Sequence, residues 1–487
     1  METKEIIIIG TGYSGICMGI KLKQAGITNF TILEKEKELG GTWYINSYPG
    51  AQCDVESHLY SFSFESYDWT KVFPDQPELN MYIKHCAKKY GIESHIKLGT
   101  TVIGAEYHDD EGTWTIDTQE SGKFKTKFLI AATGGLNIPS YPEFKGIENF
   151  EGETFHSARW KHNVDLKGKN VAVIGSAASA IQFIPEIAPL VKNLELFQRT
   201  ANWILPKPDR PFKPWERKLF KAIPFTHWLY REKLYWLKEL RVIAFTKYPN
   251  LLKMVSQGTV KYLTKTVKDP QKLKALIPNY TMGCKRILIS NFYYKAVMRE
   301  NVHMITDGVA QVNKNSITTS TGKEVPVDVI IYSTGFKATN PYAAVKIVGS
   351  KGLLLSNIIA KKGISGHLGT TMTGFPNLFI MTGPNTGIGH TSLIHLIESQ
   401  ANYVMDGLRY IQKNGVKSFE VKMEAQNKFN DELDKKMENT VWLKGGCDSW
   451  YKDEFGRVPT LWPDFTFNFR KMTRKFDYPN YKILKNI

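Results

Sequence analysis

Two stretches of this chain share one design, in which a short apolar strand leads into a turn of small residues and then a helix. In the first, residues 5–9 form the strand, Gly10-Thr-Gly-Tyr-Ser-Gly15 the turn and residues 16–25 the helix. The second has residues 170–174, Gly175-Ser-Ala-Ala-Ser-Ala180 and 181–187 in the same roles. Strand, small-residue turn and helix in this order begin a βαβ unit that binds a dinucleotide. We therefore predict two such domains.

Other apolar runs predict the remaining strands of these domains. They are residues 30–33, 128–131, 194–197, 327–332 and 378–381. Their alternation with helical segments favours an α/β fold with open sheets. We predict two Rossmann-like domains with a helical insertion. The first comprises residues 1–155 and returns as 331–487, and the second comprises 156–330 with the insertion at about 206–280.

The first turn has the residues that an FAD site needs. Gly10 and Gly12 let the backbone approach a pyrophosphate, and Gly15 lets the helix pack on its strand. The N–H groups at the start of the helix, beside Ser14, face the phosphates. Glu34 stands 24 positions after Gly10, where a carboxylate accepts hydrogen bonds from a ribose.

The second turn differs at the same offset. Gly175 is followed by small Ala177 and Ala180, and position 24 after Gly175 is Arg199 rather than an acid. An acid there would repel a 2′-phosphate, whereas an arginine can pair with it. Thr200 and Lys285 are further candidates for that phosphate. We therefore assign FAD to the first site and NADPH, rather than NADH, to the second.

The insertion at about 206–280 is basic and aromatic, in a chain of formal net charge +17. Such a charge suits a membrane surface, a nucleic acid or anionic cofactors, or belongs to a lysine-rich solvated surface. Since no nucleic-acid-binding motif accompanies it, we predict no nucleic-acid partner. An aromatic stripe beside basic residues either packs on its own domain or contacts a membrane at its periphery. The stripe is Trp228, Leu229, Tyr235, Trp236, Leu240 and Phe245, beside Arg231, Lys233, Lys238 and Arg241.

The cysteines indicate the compartment. Five of them, Cys17, Cys53, Cys86, Cys284 and Cys447, are spread along the chain without a CxxC pair. This argues against a disulfide framework and against a zinc site, so we expect reduced thiols and no metal. No apolar run reaches the length of a membrane span, and the first residues lack the features of a signal peptide. The sequence therefore predicts a cytoplasmic protein, with membrane association through the insertion left open.

Two longer strings carry a family resemblance. The first is Gly40-Gly41-Thr42-Trp43, four residues, Tyr48-Pro49-Gly50, three residues and Asp54. It matches at every defined position the long fingerprint of Baeyer–Villiger monooxygenases, the class B flavin-containing monooxygenases. The second is Phe150-x-Gly152-x-x-x-His156-x-x-x-Trp160-Lys161, similar to the other family fingerprint except that Lys161 replaces Pro or Asp. The resemblance extends over nearly the whole chain.

The resemblance implies roles for individual residues. Arg286, in Gly283-Cys284-Lys285-Arg286, would be the catalytic arginine, Asp54 would hold it and the nicotinamide in place, and Trp450 would shield the bound cofactor. The positions that match flavin contacts are Gly41, Thr42, Trp43, Tyr60, Val102 and Leu393. Those that match the NADP side are Gln52, Cys53, the run from Ser176 through Ser179 to Gln182, Arg199 and Thr200.

The resemblance also implies a reaction. FAD reduced by NADPH would bind O2 as a C4a-peroxyflavin, which attacks a ketone or other apolar substrate and gives an ester or lactone. An always-protonated guanidinium such as that of Arg286 would stabilise the peroxide without supplying a proton. The alternatives are hydroxylation or oxidation of sulfur and nitrogen centres, and a non-catalytic flavoprotein. A flavin disulfide reductase would need a cysteine pair beside the flavin, and no two cysteines are close in sequence.

Three residues of these segments carry open interpretations. His156 reads as a structural hydrogen-bonding group rather than an acid or base, and Trp160 as a packing residue. His390 either touches the flavin ring or caps a helix.

Overall fold

The computed structural model describes residues 1–485. In the first third of the chain, the first glycine turn is flanked by a buried strand and a helix, as the sequence predicts. The elements of this third are β1 Glu2–Ile9, α1 Tyr13–Gln24, β2 Phe30–Leu33, α2 Thr42–Ile45, α3 Gln76–Lys89, β3 Ile96–Lys97, β4 Val102–His108, β5 Thr113–Thr118 and β6 Lys123–Ala131.

The middle of the chain contains the second glycine turn and five helices of the insertion. Its elements are β7 Glu153–His156, β8 Asn170–Ile174, α4 Ala180–Ile187, β9 Asn193–Phe197, β10 Ile204–Leu205, α5 Pro214–Ala222, α6 Pro224–Glu239, α7 Val242–Thr246, α8 Asn250–Thr266, α9 Pro270–Leu276, β11 Leu288–Ile289, α10 Tyr293–Val297, β12 Val302–Ile305, β13 Val309–Val312, β14 Ser316–Thr319, β15 Glu324–Pro326 and β16 Val329–Tyr332.

The last third adds strands to the first sheet and covers it with a long helix. Its elements are β17 Lys346–Val348, α11 Leu355–Lys362, β18 Leu378–Ile380, α12 Ile394–Lys413, β19 Val416–Val421, α13 Met423–Met437, α14 Val441–Lys444, α15 Thr466–Met472 and β20 Tyr481–Lys485.

The larger sheet has the strand order β17-β4-β5-β6-β1-β2-β3, with β18 also paired to β6. Strands β3, β2, β1, β6 and β18 run parallel, whereas β4, β5 and β6 form an antiparallel meander. The second half of the central strand β1 is apolar and largely buried, and its last residue Ile9 pairs with both Leu33 and Ala131. This register places the first turn at the carboxyl end of the parallel strands.

The smaller sheet is wholly parallel, with the order β12-β9-β8-β16-β7. Here Ile174, the last residue before the second turn, pairs with Phe197 and Tyr332. The α/β class with two doubly wound sheets is thereby confirmed. The predicted strands 327–332 and 378–381 are slightly shorter, at Val329–Tyr332 and Leu378–Ile380.

The division of the chain into domains stays a prediction. The predicted junctions at 155/156 and 330/331 both fall inside strands of the smaller sheet, Glu153–His156 and Val329–Tyr332. These two strands pair with each other in parallel. The chain therefore enters and leaves the second domain through neighbouring strands.

Two members of the aromatic stripe in the insertion, and two of the basic residues beside it, pack inward as the first of its two interpretations predicts. Tyr235 lies half-buried against His395, with ring centroids 4.6 Å apart, and Phe245 is buried against Trp442. Arg231 and Lys238 are also buried. The cause is tertiary packing: the helices of the insertion turn these side chains onto the rest of the molecule, which periodicity alone does not predict.

The expectation of five reduced cysteines is wrong. Cys284 and Cys447 form a disulfide across 163 positions, while Cys17, Cys53 and Cys86 are free and buried. A pairing over such a distance leaves no local spacing signal in the sequence. Within residues 1–485 no cluster of three or more metal-binding side chains occurs, and no helix there is long and apolar enough to cross a membrane.

Candidate active site

The two glycine turns have nearly the same local geometry. Gly10 has a φ of +104° and its N–H donates to Leu33 O at 2.8 Å, and Gly175 has a φ of +100° and donates to Phe197 O at 3.0 Å. A Cβ on Gly10 would lie 2.7 Å from Ala132 O, and one on Gly175 would lie 2.4 Å from Ser333 O. Ala132 directly follows β6 and Ser333 directly follows β16. The segments that begin at these two residues are thus structural counterparts, because each packs against the first glycine of its own turn.

The first turn is bare where a pyrophosphate would lie. A Cβ on Gly41 would come within 2.7 Å of Gly12 Cα, so the two backbones approach with no side chain between them. Helix α1 begins at Tyr13, and Ser14 and Gly15 lie buried in its first turn. Its backbone N–H groups and positive dipole end suit phosphates.

Glu34 is brought to this turn, as the sequence predicts. One carboxylate oxygen accepts hydrogen bonds from Thr11 N at 2.8 Å and Thr11 Oγ1 at 2.6 Å, and the other accepts from Glu36 N at 3.0 Å. These bonds fix the carboxylate while lone pairs remain for ribose hydroxyls. The site therefore fits FAD.

The predicted flavin-contacting residues divide into two groups. Trp43 Nε1 donates to the Tyr60 hydroxyl at 3.2 Å, with the two rings edge to face, and Thr42 begins the short helix α2 beside them. Val102 is buried at the start of β4, and Leu393 caps the start of α12. Burial raises the pKa of Tyr60, so its hydroxyl stays protonated.

The second site gathers positive charge on its surface. Lys285 Nζ donates to Thr200 Oγ1 at 2.9 Å, and Arg199 lies next to Thr200, both exposed. Burial lowers the pKa of Lys285, Asp448 raises it and Arg199 lowers it further. The three predicted phosphate candidates are therefore neighbours, and together they fit the 2′-phosphate of NADPH.

Asp54 and Arg286 form the central pair of the crevice. Arg286 Nε donates to Asp54 Oδ2 at 2.8 Å and Nη2 donates to Oδ1 at 2.7 Å, a bidentate bond between residues 232 positions apart. Burial alone would raise the pKa of Asp54, but the charge and hydrogen bonds of Arg286, together with the charge of Lys207, lower it. Asp54 raises the pKa of Arg286 against the opposing effect of burial. Both groups are thus ionised at neutral pH.

Residues 207–209 form a clamp on Gln52 and Cys53, the two residues before Asp54, that sequence reasoning missed. Lys207 Nζ donates to Gln52 Oε1 and, at 3.1 Å, to Cys53 O. Asp209 accepts from Gln52 Nε2 at 3.0 Å and from Phe73 N at 3.2 Å. Burial lowers the pKa of Lys207 to about 8. The only sequence signal was a lysine and an aspartate between prolines at the start of the insertion.

The fingerprint loop that contains Gln52 also joins the two domains. Gln182, on α4, donates through Nε2 to Gln52 O at 2.8 Å and accepts from the Tyr48 hydroxyl at 2.9 Å. A Cβ on Gly50 would lie 2.7 Å from Gln182 O. In the second turn, Asn202 donates to Ser176 O at 3.1 Å, and Ser179 precedes α4. The fingerprint loop, residues 48–54, therefore packs directly on the second dinucleotide unit.

The disulfide lies beside the catalytic candidate. Cys284 stands two residues before Arg286, and Cys447 stands three residues before Trp450. Tyr451 is buried and its ring lies 4.4 Å from that of the exposed Trp450. Burial raises the pKa of Tyr451 to about 12, against the lowering effect of the neighbouring charge of Arg286. The bond thus ties the arginine-bearing segment to the late segment, residues 447–451.

His156 and Trp160 serve structure in the described chain. His156 is fully buried, accepts from Ala158 N at 3.1 Å, and has a pKa that burial lowers to about 4. Trp160 packs against Phe155 and Phe183, each with a centroid distance of 5.2 Å. Both interpretations from the sequence agree with these contacts.

His390 does not cap a helix, which removes one of its two predicted roles. Its Nε2 lies 3.6 Å from the buried carboxylate of Glu239, and α12 begins without a side-chain cap. Glu239 in turn accepts from Thr466 Oγ1 at 2.9 Å.

Comparisons with known proteins agree with this geometry. A family described as "Pyridine nucleotide-disulphide oxidoreductase" matches residues 7–250. A Baeyer–Villiger monooxygenase from Pseudomonas aeruginosa is 44% identical over 98% of this chain and 91% of its own length. Two solved structures are 26% identical and cover all of both chains. These are a cyclohexanone monooxygenase from Rhodococcus sp. Phi1 bound to NADP+, with a TM-score of 0.90, and one bound to cyclohexanone, with a TM-score of 0.87.

The family that includes disulphide oxidoreductases shares the two dinucleotide domains. The disulfide of this chain lies in an apolar cluster with Trp203, Tyr280 and Trp442. The high identity over nearly full length, the fingerprint loop and the Asp54–Arg286 pair all point to oxygenation instead. The chain therefore belongs to the Baeyer–Villiger monooxygenases, as an FAD-dependent enzyme that uses NADPH to insert oxygen next to a ketone carbonyl.

Proposed function

We propose that Arg286 is the catalytic residue for oxidation of a small, largely apolar ketone to an ester or lactone, and that Asp54 is its positioning residue. The observation that carries the proposal is the bidentate bond between them, at 2.8 Å and 2.7 Å. It joins the fingerprint loop of the first domain to the arginine segment of the second. When bound, FAD and NADPH supply the hydride and the activation of O2, which is the cofactors' own chemistry.

Arg286 provides a fixed positive charge in the crevice between the sheets. Two of its five N–H groups are used by Asp54, so the others are free for a ligand. A preoriented donor stabilises negative charge that develops on a reacting oxygen. Since Asp54 raises its pKa, the guanidinium holds its protons and does not quench that charge by proton transfer.

Asp54 restricts the guanidinium to one orientation. Its own loop is held on three sides, by Lys207 and Asp209 from the insertion and by Gln182 from α4. A supported constellation of this kind keeps a reactive group within a fraction of an ångström of its working position. We propose the same supporting role for Gln52, whose amide side chain contacts both Lys207 and Asp209.

The assignment of the substrate as a ketone rests on the relatives. One solved structure is bound to cyclohexanone, and its chain matches this one over its full length. We propose that O2 is the second substrate and that the cofactor contacts are those predicted for the two turns, with Arg199, Thr200 and Lys285 on the 2′-phosphate. We also propose a cytoplasmic location, in which the Cys284–Cys447 disulfide would be unusual. Cell fractionation tests it, and recovery with exported proteins would contradict it.

The decisive experiment uses purified, FAD-loaded enzyme with NADPH and air. Cyclohexanone and a thioether are supplied separately, and products are identified by mass spectrometry. We expect ε-caprolactone from the ketone, and a sulfoxide as the sole product would favour the alternative oxidation of sulfur.

The Arg286→Ala variant tests the role of the guanidinium. NADPH should still bleach the flavin, while lactone formation falls by roughly a hundredfold or more, as for removal of a preoriented donor. Asp54→Asn should lose less, because the arginine keeps its charge. Arg299→Ala, an exposed arginine outside the crevice, serves as the control and should behave as wild type. Retained lactone formation in Arg286→Ala would remove the proposed role.

A further inference from the structure

Helix α6 of the insertion buries two basic side chains and exposes several large apolar ones. A surface helix normally turns apolar residues inward and charges outward. Here Arg231 and Lys238 are only 5% and 8% exposed, whereas Trp228 and Trp236 of the same helix are 51% and 50% exposed. A face of this kind needs an explanation, because exposed large apolar patches mark sites of contact.

The inner side of α6 is held by charge pairs and hydrogen bonds. Arg231 donates to the backbone carbonyls of His58 and Ser61, the latter at 2.9 Å. Lys238 lies 2.9 Å from the carboxylate of Glu56. These bonds fix the rotation of the helix about its axis. The outward orientation of the apolar side chains is therefore fixed by these bonds and does not result from loose packing of the helix.

The exposed side of α6 carries six large apolar side chains, which we name the outer α6 face. They form two groups, one at each end of the helix, with Glu232 and Lys233 between them. They are Phe225, Trp228, Leu229, Trp236, Leu237 and Leu240. Phe225 stacks on Trp228, and Phe467 of α15 adjoins Trp236 with ring centroids 6.1 Å apart. On α8, Leu251, Met254 and Val255 form a second exposed apolar group.

Positive charge is concentrated in the same part of the chain. Residues 206–280 contain 17 Lys and Arg against 5 Asp and Glu, a net charge of +12 out of +17 for the whole chain. Lys221 on α5, Lys233 on α6 and Arg241 just after α6 are exposed, and none of them forms an ion pair within residues 1–485. The remaining 412 residues are thus close to electrically balanced.

From this juxtaposition we propose that the outer α6 face docks on the surface of an anionic lipid bilayer. Trp, Phe and Leu at one helix side with Lys and Arg along its edges is the composition of a helix that lies in a membrane interface. Anionic headgroups attract each such lysine or arginine within a Debye length. A nucleic acid would use the charge but leave the apolar side chains uncovered, so the lipid surface accounts for both features.

Vesicle flotation with the FAD-loaded enzyme tests the proposal. The two probes are vesicles of phosphatidylcholine alone and of phosphatidylcholine mixed with phosphatidylglycerol. We expect binding to the mixed vesicles, weaker binding to the neutral ones, and release as salt is raised, because surface charge is screened. Absence of wild-type binding to the mixed vesicles would overturn the proposal.

Two variants then test the apolar and the charged parts separately. Trp228→Ser combined with Trp236→Ser should weaken binding by about tenfold or more, since two interfacial side chains are lost. Lys221→Glu, Lys233→Glu and Arg241→Glu together should abolish the preference for phosphatidylglycerol. The matched controls are Phe292→Ser, an aromatic residue that is 66% exposed outside the insertion, and Lys145→Glu with Lys167→Glu and Lys192→Glu. Both controls should bind as wild type.

Folding and activity are monitored in the same samples. Flavin absorbance and ketone turnover without vesicles should equal those of the wild type in every variant, because no altered residue lies in the crevice. Equal vesicle binding by wild type and both variants would overturn the proposal. So would a wild-type dimer that the tryptophan variant makes monomeric while vesicle binding stays the same.

Discussion

The two dinucleotide sites are built on one backbone plan but present opposite surfaces to their ligands. At the first site, the buried Glu34 is enclosed by hydrogen bonds from Thr11 and Glu36. At the second, the exposed Arg199 lies beside Thr200 and Lys285. Both turns begin with a glycine at nearly the same φ, so the backbone does not explain the difference.

This difference explains how one fold can hold FAD, which stays bound, and NADPH, which exchanges. A buried carboxylate that is fixed in advance suits a ligand that stays bound, because ordering it costs little at the moment of binding. An open cluster of cations attracts an anionic ligand quickly and releases it on a change in contacts. The Asp54–Arg286 pair lies where the two kinds of site meet.

The largest expected effect comes from a substitution that disrupts the first dinucleotide site alone. Gly15→Ala would place a Cβ 1.8 Å from Gly10 O, a backbone atom that cannot move aside. We expect the protein to be recovered without FAD or to fail to fold, as shown by loss of flavin absorbance. Ala180→Gly at the corresponding position of α4 should cost only about 1 kcal/mol of helix stability. Normal FAD content in Gly15→Ala would show that the two turns are not so different.

The next effect sharpens the assignment of the second site. Arg199→Ala removes a charge-assisted bond to a 2′-phosphate, so the Michaelis constant for NADPH should rise by about ten- to a hundredfold. The constant for NADH should change little, because NADH lacks that phosphate. Steady-state kinetics with both cofactors measures this ratio, with Arg299→Ala as control. An equal loss with both cofactors would contradict the assignment to NADPH.

A third prediction concerns the disulfide between the arginine segment and the late segment. Cys284→Ser with Cys447→Ser should lower the free energy of unfolding by ~2–4 kcal/mol, since a long loop is no longer closed. We also expect more hydrogen peroxide per NADPH, because Arg286 and Trp450 are less firmly held. A dithiol should shift wild type in the same direction and leave the double variant unchanged. If a dithiol still changed the unfolding free energy or the peroxide yield of the double variant, the effect would not come from the Cys284–Cys447 bond and the prediction would be wrong.

The smallest effect concerns Lys207, which binds the two residues that precede Asp54. The pKa of Lys207 is lowered to about 8 by burial, against Asp209, Cys53 and Asp54, which raise it, and with Lys71, which lowers it. As pH rises through about 8, the positive charge beside Asp54 is lost, and lactone yield per NADPH should fall a few-fold in wild type. Lys207→Met should have the low yield at every pH, and Lys71→Met should keep the wild-type profile.

Stability should change in the opposite direction over the same range. Because the folded pKa lies below the ordinary value of 10.5, the unfolded chain binds more protons in the window above pH 8. The free energy of unfolding therefore gains a rising contribution with pH in wild type, which Lys207→Met lacks. Chemical denaturation at pH 7 and pH 10 measures it, and equal slopes in both proteins would rule out a titrating Lys207.

Local pattern predicted much of this molecule. The two turns, their strands and helices, and the pairing of Asp54 with Arg286 followed from spacing and from the family fingerprints. The structure also brings Lys285 to Thr200, beside Arg199, and the sequence had named all three as candidates for the 2′-phosphate. The features that the sequence analysis did not predict have no local signal in the sequence. The Cys284–Cys447 bond and the burial of Arg231 and Lys238 depend on contacts between residues far apart in the chain.

The sequence by itself determined the chemistry that this chain can hold: two nucleotide turns of opposite charge preference and a guanidinium matched to a carboxylate. Only the tertiary structure decided how that chemistry is supported and where the molecule faces outward. The clamp of Lys207 and Asp209 on Gln52 and the outward apolar side of α6 arise when distant segments pack together. The physical reason is that short periods and spacings fix local geometry, whereas burial and long-range hydrogen bonds are properties of the whole packed chain.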